Sequence, residues 1–275
     1  HYDDLTTRTV PPRESSSILH IRTFNNWIKS ILIHKYARRG DRVLDLACGR
    51  GGDLKKWSFR NISLWVGVDL SAKSVQEATS RYESMRRKPF DAKFRACDAF
   101  SVRITPAFFD TVSCQFSLHY AFKSEESARQ CMKNISYVML PGGHFIGTIP
   151  NAEEIMIRRK AEGNSFGNEY FKITFADEEE EKKEFGCEYT FNLKEAVESV
   201  PEYLVYKETL ERIAREEGLE LVYWKNFTEM YYDFCAEEPF QSMLTRMNVL
   251  NKQGSIDPED WEVIALYSSF AFKKK

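Results

Sequence analysis

Between Val43 and Trp57 the chain reads VLDLACGRGGDLKKW: an apolar run, three glycines, then a cluster of cations. A glycine-rich turn after a strand brings backbone N–H groups close to a bound nucleotide. Gly49, Gly51 and Gly52 fall as G-x-G-G. The turn is therefore neither the G-x-G-x-x-G dinucleotide fingerprint nor a G-x-x-x-x-G-K-[ST] phosphate loop. About 20 residues further on, the segment GVDLS places Asp69 at the end of a second apolar run. A carboxylate there suits a ribose diol, because it accepts two hydroxyl hydrogen bonds at once. Arg50, Lys55 and Lys56 flank the turn. They serve either the same ligand or a second, anionic one.

Such residues work only if strand ends are brought together, and the first 150 residues spell that scaffold. DRVLDLAC reads as a buried strand, GGDLKKWSFR opens a helix, and SLWVGVDLS is a second strand. AKSVQEATSRYESMRRK carries Val75, Ala78, Tyr82 and Met85 at helical spacing, and AKFRACDAF is a third strand. FDTVSCQFSLHY is a fourth; SEESARQCMKNISYVML is a helix closed by Pro-Gly-Gly before a fifth strand, HFIGTIP. This alternation predicts an α/β fold with a doubly wound, mostly parallel Rossmann-like sheet and helices on both faces. From 151 the rhythm changes. NAEEIMIRRKAEG reads as a helix, and EYFKITFADEEEEKKEFGCEYTFNL as two strands joined by a solvated acidic tip at Asp177–Glu181. YLVYKETLERIAREEG is an amphipathic helix, EEPFQSMLTRMNVLNKQG another, and LELVYWKNF and EVIALYSSFAFKK are strands. We expect an N-terminal tail at 1–17 and a single domain at 18–275. Its core spans 18–150, an inserted strand-helix segment over the substrate side spans about 151–217, and further strands and a helix follow at 218–275.

Composition narrows the function classes. The 275 residues carry 39 Lys and Arg against 41 Asp and Glu, a formal net charge of −2. That balance argues against extended, non-specific nucleic-acid binding, which needs a basic stripe, but permits recognition of one polymer end by a few local cations. No apolar run approaches the ~18 residues of a membrane span. The six cysteines show no C-x-x-C pairing and no adjacent histidine cluster, so free thiols in a reducing compartment and no metal are expected. The chain begins at His1 rather than Met, consistent with removal of a preceding segment.

D-x-x-C-G followed by G-V-D resembles the opening motifs of class I S-adenosylmethionine-dependent methyltransferases. In that family the turn approaches the methionyl part of the cofactor, and an acidic residue after the third strand reads the adenine amino group. Asp98 in RACDAF matches it. The fourth strand lacks the (N/D/S)-P-P-(Y/F/W) motif of enzymes that methylate exocyclic base amines, and no Lys-Asp-Lys-Glu set for a ribose hydroxyl can be assembled. RTFNNWIKSILI, LACGRGGDLKKW, SCQFSLHYAF, GGHFIGTIPN, SFGNEY, FGCEYTFNL, VPEYLVY and LYSSFAF together resemble the eukaryotic mRNA cap guanine-N7 methyltransferases over residues 18–275.

The resemblance implies methyl transfer from S-adenosylmethionine to N7 of the 5′ guanosine cap, leaving S-adenosylhomocysteine. It implies cofactor contacts at Lys29, Ala47, Gly49, Asp53, Asp69, Asp98, Gln115 and Tyr120. Lys29 would pair with the cofactor's carboxylate, and Gln115 and Tyr120 would close over it. For the cap it implies Asn25, Asn26, Phe116, His119, Tyr120, Pro150, Glu202 and Tyr267 around guanine, and Arg50, Lys56 and Arg81 near the phosphates. Lys55, pointing elsewhere on its helix, is left to solvent. The resemblance further implies capped RNA (a GpppN end) as substrate, a possible link to the capping apparatus or the RNA polymerase II tail, no membrane, a monomer and a nuclear address. Two departures stand out: the family commonly has Lys at the position of Arg50 and Gly at that of Ala47. The competing readings are a methyltransferase acting on another substrate and a catalytically silent cap-binding module. The intact turn with Asp69 and Asp98 disfavours the silent module.

Overall fold

The computed structural model describes residues 16–102, 108–176 and 183–275. Most of the expected tail and the acidic tip Asp177–Glu181 lie outside them. Eleven strands and nine helices are described among these residues.

Seven strands form the central sheet: β1 (Arg42–Leu46), β2 (Leu64–Asp69), β3 (Asp91–Ala96), β4 (Phe109–Gln115), β5 (Met139–Pro150), β10 (Leu219–Asn226) and β11 (Tyr267–Lys274). Their order is β10-β11-β5-β4-β1-β2-β3. β3, β2, β1, β4 and β5 run parallel, and β11 and β10 add an antiparallel edge. The order reverses between β1 and β4, which opens a crevice beyond their carboxyl ends. β1 and β4 are buried almost throughout, as strands covered on both faces must be. In β2 the Trp65 ring lies over Gly67, where a Cβ would sit only 2.0 Å from it.

The helices of the core are α1 (Leu19–Tyr36), α2 (Leu54–Arg60), α3 (Ala72–Glu83) and α4 (Glu125–Val138). α1 buries Ile21, Phe24, Trp27, Ile28, Ile31 and Leu32, and packs against β5 and α2. Ser71 and Ser124 cap α3 and α4 through their side chains. The fourth expected strand ends at Gln115. His119 and Tyr120 lie instead in a 3₁₀ turn, Leu118–Lys123, that follows it.

The segment after β5 begins with α5 (Ala152–Glu162). It then builds a second, antiparallel sheet, in the order β6 (Ser165–Gly167), β7 (Phe171–Thr174), β8 (Glu188–Leu193) and β9 (Val197–Tyr203). Its inner face, Phe171, Ile173, Tyr189 and Phe191, joins the core that contains α1. The insertion is thus richer in strand than its sequence suggests, and it ends at β9. The next helix, α6 (Lys207–Glu216), buries Leu210, Ile213 and Ala214 in the same core as β4 and β5, so it belongs to the central layer.

Beyond β10 come α7 (Phe227–Phe234), α8 (Phe240–Arg246) and α9 (Pro258–Ala265). The stretch EVIA, which reads as strand, completes α9. Pro at the helix start and acidic residues in its first turn favour helix there. Among the described residues no helix is long and apolar enough to cross a membrane, and none of the six cysteines is joined in a disulfide.

Candidate active site

A cleft of about 530 Å³ opens beyond the carboxyl ends of β1, β2 and β4, roofed by Val200, Pro201 and Tyr203 of the second sheet. Ala47, Gly49, Asp69, Asp98, Phe116 and Tyr120 all line it. The turn after β1 keeps a left-handed backbone at Ala47 (φ 53°), Gly49 (φ 52°) and Gly51 (φ 68°). A Cβ built on Gly49 meets nothing within 4 Å, so its face is open. Asp69 holds this turn: Oδ2 accepts from the Gly49 N–H at 2.7 Å and Oδ1 from the Ser71 N–H at 3.0 Å. Each carboxylate oxygen has two lone pairs, so both retain capacity for a ribose hydroxyl. Asp98 accepts from Ser101 Oγ at 2.6 Å and from the Phe100 N–H at 3.0 Å. Burial opposes its ionisation, but these hydrogen bonds outweigh it and hold the carboxyl below its ordinary value.

Next to the turn lies a charged cluster. Asp53 accepts from Lys29 Nζ at 3.0 Å and Lys56 Nζ at 2.6 Å, and Lys56 also donates to Asn26 Oδ1 at 2.8 Å. Burial alone would raise the Asp53 carboxyl, yet the two ammonium groups hold it well below the usual carboxylate range. Asp45, on β1 beneath this cluster, is buried. It accepts from the indole N–H groups of Trp57 at 3.4 Å and Trp65 at 3.3 Å. Burial, followed by the Asp53 charge, pushes its carboxyl up to about 7.

The third part is an aromatic cluster beside the cleft that Phe116 lines. Phe116 sits at φ 57°, a strained backbone for a bulky residue, and such strain clusters at functional sites. Its ring meets Tyr267 edge-on at 5.1 Å and Phe227 at 6.0 Å, and Lys29 Nζ lies 5.9 Å from its centroid. Tyr267 opposes Pro150 in the sheet register. Glu202 is 6% exposed and on strand β9. Its Oε2 accepts from Tyr189 Oη at 2.7 Å, and its Oε1 stands 3.5 Å from His119 Nε2. His119 is 2% exposed. Neither of its ring nitrogens finds a hydrogen-bond partner among the described residues, and neither does Asn25 Oδ1. Buried polar atoms of this kind are costly unless something satisfies them.

Comparison with known proteins decides the family. The mRNA (guanine-N(7))-methyltransferase domain family matches residues 1–275. mRNA cap guanine-N(7) methyltransferase 1 of Oryza sativa subsp. japonica is 39% identical over all of this chain and 80% of its own length. The mRNA cap guanine-N(7) methyltransferase of Schizosaccharomyces pombe is 36% identical over all of this chain and 81% of its own. The chain belongs to the mRNA cap guanine-N7 methyltransferase family. It is an enzyme that methylates N7 of the cap guanosine of mRNA, with S-adenosylmethionine as donor. The fold agrees. An S-adenosylmethionine-dependent methyltransferase from Clostridium acetobutylicum superposes with a TM-score of 0.57 at 17% identity, covering 95% of this chain and 94% of that one. One from Mesorhizobium loti gives 0.54 at 14% identity, over 96% and 100%.

Within this cap methyltransferase the expected site residues fall into three groups. Ala47, Gly49, Asp69, Asp98, Phe116 and Tyr120 share the cleft. Asn26, Lys29, Asp53 and Lys56 meet in the charged cluster. Phe116, Pro150, His119, Glu202 and Tyr267 lie in or beside the aromatic cluster. Gln115 ends β4 beside Phe116, which lines the cleft. Its Nε2 donates to Ser113 Oγ at 3.1 Å and its Oε1 accepts from Thr148 Oγ1 at 3.1 Å, which ties its side chain into β4 and β5. Arg50 Nε lies 3.3 Å from Glu77 Oε2 of α3, and Arg81 is exposed one helical turn beyond Glu77. The sequence did not single out Asp45, Tyr189 or Phe227 as functional. Tyr189 lies within the quoted motif FGCEYTFNL, but only the β8–β9 register, which sets it opposite Glu202, reveals its partner.

Proposed function

We propose that the cleft holds S-adenosylmethionine while the aromatic cluster beside it holds the cap guanine, and that transfer needs no general base. The residues fit the cofactor. The cleft is of a size typical for small-molecule sites, the open face of Gly49 admits close backbone approach, and Asp69 keeps acceptor capacity beside it. In this reading Asp69 takes the ribose, Asp98 the adenine amino group, and Lys29 the carboxylate. When bound, the cofactor supplies an activated methyl group on its sulfonium.

Guanine N7 carries an in-plane lone pair and no proton, so the protein's task is placement. Holding reactants in line contributes about 7–11 kcal/mol. Glu202 accepts from guanine N1–H and the exocyclic amine. Adenine presents an acceptor at N1, and a buried carboxylate facing it is left unpaired. Phe116, Tyr120 and Tyr267 supply aromatic faces worth about 1–3 kcal/mol per base. Glu202 and these faces also stabilise the positive charge that develops on the purine. Nδ1 of His119 and Oδ1 of Asn25 await groups on the base or ribose, while Nε2 of His119 faces Glu202 Oε1. Arg50, Lys56 and Arg81 approach the triphosphate bridge, with Arg50 offering a planar fork rather than the point charge of Lys. Monomeric action in the nucleus, alongside the capping apparatus or the polymerase II tail, extends the same reading and follows the family.

The observation that carries the proposal is Glu202: a buried carboxylate that accepts from Tyr189 and stands near Tyr267 of the aromatic cluster. Glu202→Ala should abolish methyl transfer to GpppA dinucleotide while leaving S-adenosylmethionine binding, measured by calorimetry, within twofold of wild type. Equal loss of both would sink the guanine-edge assignment.

A further inference from the structure

The outer face of α2 is distinct from its surroundings. Phe59 is 73% exposed, the most exposed large apolar side chain among the described residues. Lys55 lies one turn earlier on the same face and is also exposed. Just past the end of α2, the Asn61 carbonyl accepts from the Gly40 N–H at 3.0 Å, and the Arg60 guanidinium donates twice to the Ala37 carbonyl, at 2.7 and 3.1 Å. These bonds fix the loop Arg38-Arg39-Gly40 against the C-terminal end of α2. Arg38 and Arg39 are exposed, and neither they nor Lys55 form an ion pair among the described residues. Along the axis of α2 the order is Lys55, Phe59 and then, at the C-terminal end, the loop that carries Arg38 and Arg39.

We propose that this face carries the RNA downstream of the cap, with a base stacked on Phe59 and the backbone phosphates on Lys55, Arg38 and Arg39. Cations that track a backbone, interleaved with an aromatic platform, are what single-stranded nucleic acid requires, because every base has a π-face whatever the sequence. The overall charge of −2 makes a local cationic run on this face more telling, not less. Position supports the same occupant. α2 starts at Asp53 and Lys56, beside the proposed cap phosphates, and rises only 1.5 Å per residue. A polymer leaving those phosphates reaches Phe59 within about 10 Å. The inference rests on that cap placement only for where the track begins.

The test compares GpppA dinucleotide with a capped 20-nucleotide RNA as methyl acceptors. Phe59→Ala should raise KM for the RNA about fivefold or more, with kcat and the KM of the dinucleotide unchanged. Lys55→Gln combined with Arg39→Gln should lower the slope of log affinity against log salt for the RNA by about 1.4. Unaltered activity on the dinucleotide also shows that these surface variants are folded. Equal shifts on both acceptors, or no shift on the RNA, would overturn the track, and the second result is also what a protein-docking role for this face gives. Arg50→Ala on the dinucleotide reads the cap placement separately, so failure of that placement is distinguishable from failure of the track.

Discussion

Removing one hydroxyl, by Tyr189→Phe, tests whether the Glu202 carboxylate is held for guanine. Tyr189 is fully buried, and its ring packs on Phe175 at 5.6 Å, so phenylalanine keeps the packing and loses only the oxygen. Burial and the neighbouring carboxylate together keep this phenol protonated, well above its ordinary value, so it is a donor at any working pH. A hydrogen bond to a charged acceptor contributes about 1.5–3 kcal/mol. The bond exists within the protein alone, so part of that loss appears as stability and part as the cost of re-aiming the carboxylate at the base. An even division leaves about 1 kcal/mol on each side, which corresponds to a fall in Tm of about 2–4 °C and a rise of roughly fivefold in KM for GpppA.

The discriminating measurement is guanine selectivity: the ratio of kcat/KM for GpppA over ApppA should fall with Tyr189→Phe while S-adenosylmethionine affinity holds. In a double-mutant cycle with Glu202→Gln the two effects on selectivity should fail to add, as expected of residues that share one interaction. A lower Tm with unchanged selectivity would refute the reasoning and leave Tyr189 a packing residue.

Two further outcomes follow from the charged cluster and the turn. Asp45 titrates at about 7 in the folded protein, against about 4 for an unfolded carboxyl. Between those values the folded state binds a proton that the unfolded state lacks, so this group's contribution is complete below about pH 4 and is lost as pH rises through 7. Asp45→Asn mimics the neutral acid and should flatten the fall in Tm between pH 5 and 8.5, an effect of at most about 3 kcal/mol; an unchanged slope would mean that Asp45 is ionised throughout. Ala47, in a left-handed conformation, costs about 1–2 kcal/mol relative to a residue without a Cβ. Glycine's chain entropy offsets about 0.5–1 of that, so Ala47→Gly should raise Tm by about 1–3 °C without changing cofactor affinity, and a lower Tm would show that the turn gains nothing from glycine.

The parallel half of the sheet was legible because its strands announce themselves. VLDL and WVGV are short, largely apolar runs closed by turn residues, broken in β1 only by Asp45, and a strand buried on both faces can hardly read otherwise. The C-terminal third was harder. NFTE, a capping box in which Asn226 and Glu229 satisfy each other's backbone, marks the start of α7, yet the aromatic run FTEMYYDF masks helical spacing. EVIALYSSFAF joins a helix to a strand with no glycine or proline between them, so no local signal marks the change at Leu266. At the site, glycines and acids at strand ends carry their own positional meaning. Tyr189 and Asp45 do not: one needs a strand register, the other a cage of two indoles contributed by α2 and β2.

The cations that flank the glycine turn are not idle charge waiting for a ligand. Lys29 and Lys56 share Asp53, and Asn26 takes the remaining reach of Lys56. With Asp53 ionised and Asp45 neutral below about pH 7, this cluster carries one net positive charge. On the proposed assignment Lys29 serves the cofactor's carboxylate and Lys56 the cap's phosphates, so two anions draw on cations held by a single aspartate. Burial opposes charge on Lys56, and Asp53 works the other way. The lysine has therefore already lost most of its water before any ligand arrives. Desolvation is the main cost of forming a buried ion pair. A phosphate or carboxylate that adds to this network meets a cation already dehydrated and aimed, whereas one binding to a solvated surface lysine must strip that water itself. The same arrangement ties the two ligand sites together through Asp53, and it explains why the short run from Gly49 to Trp57 sits between them.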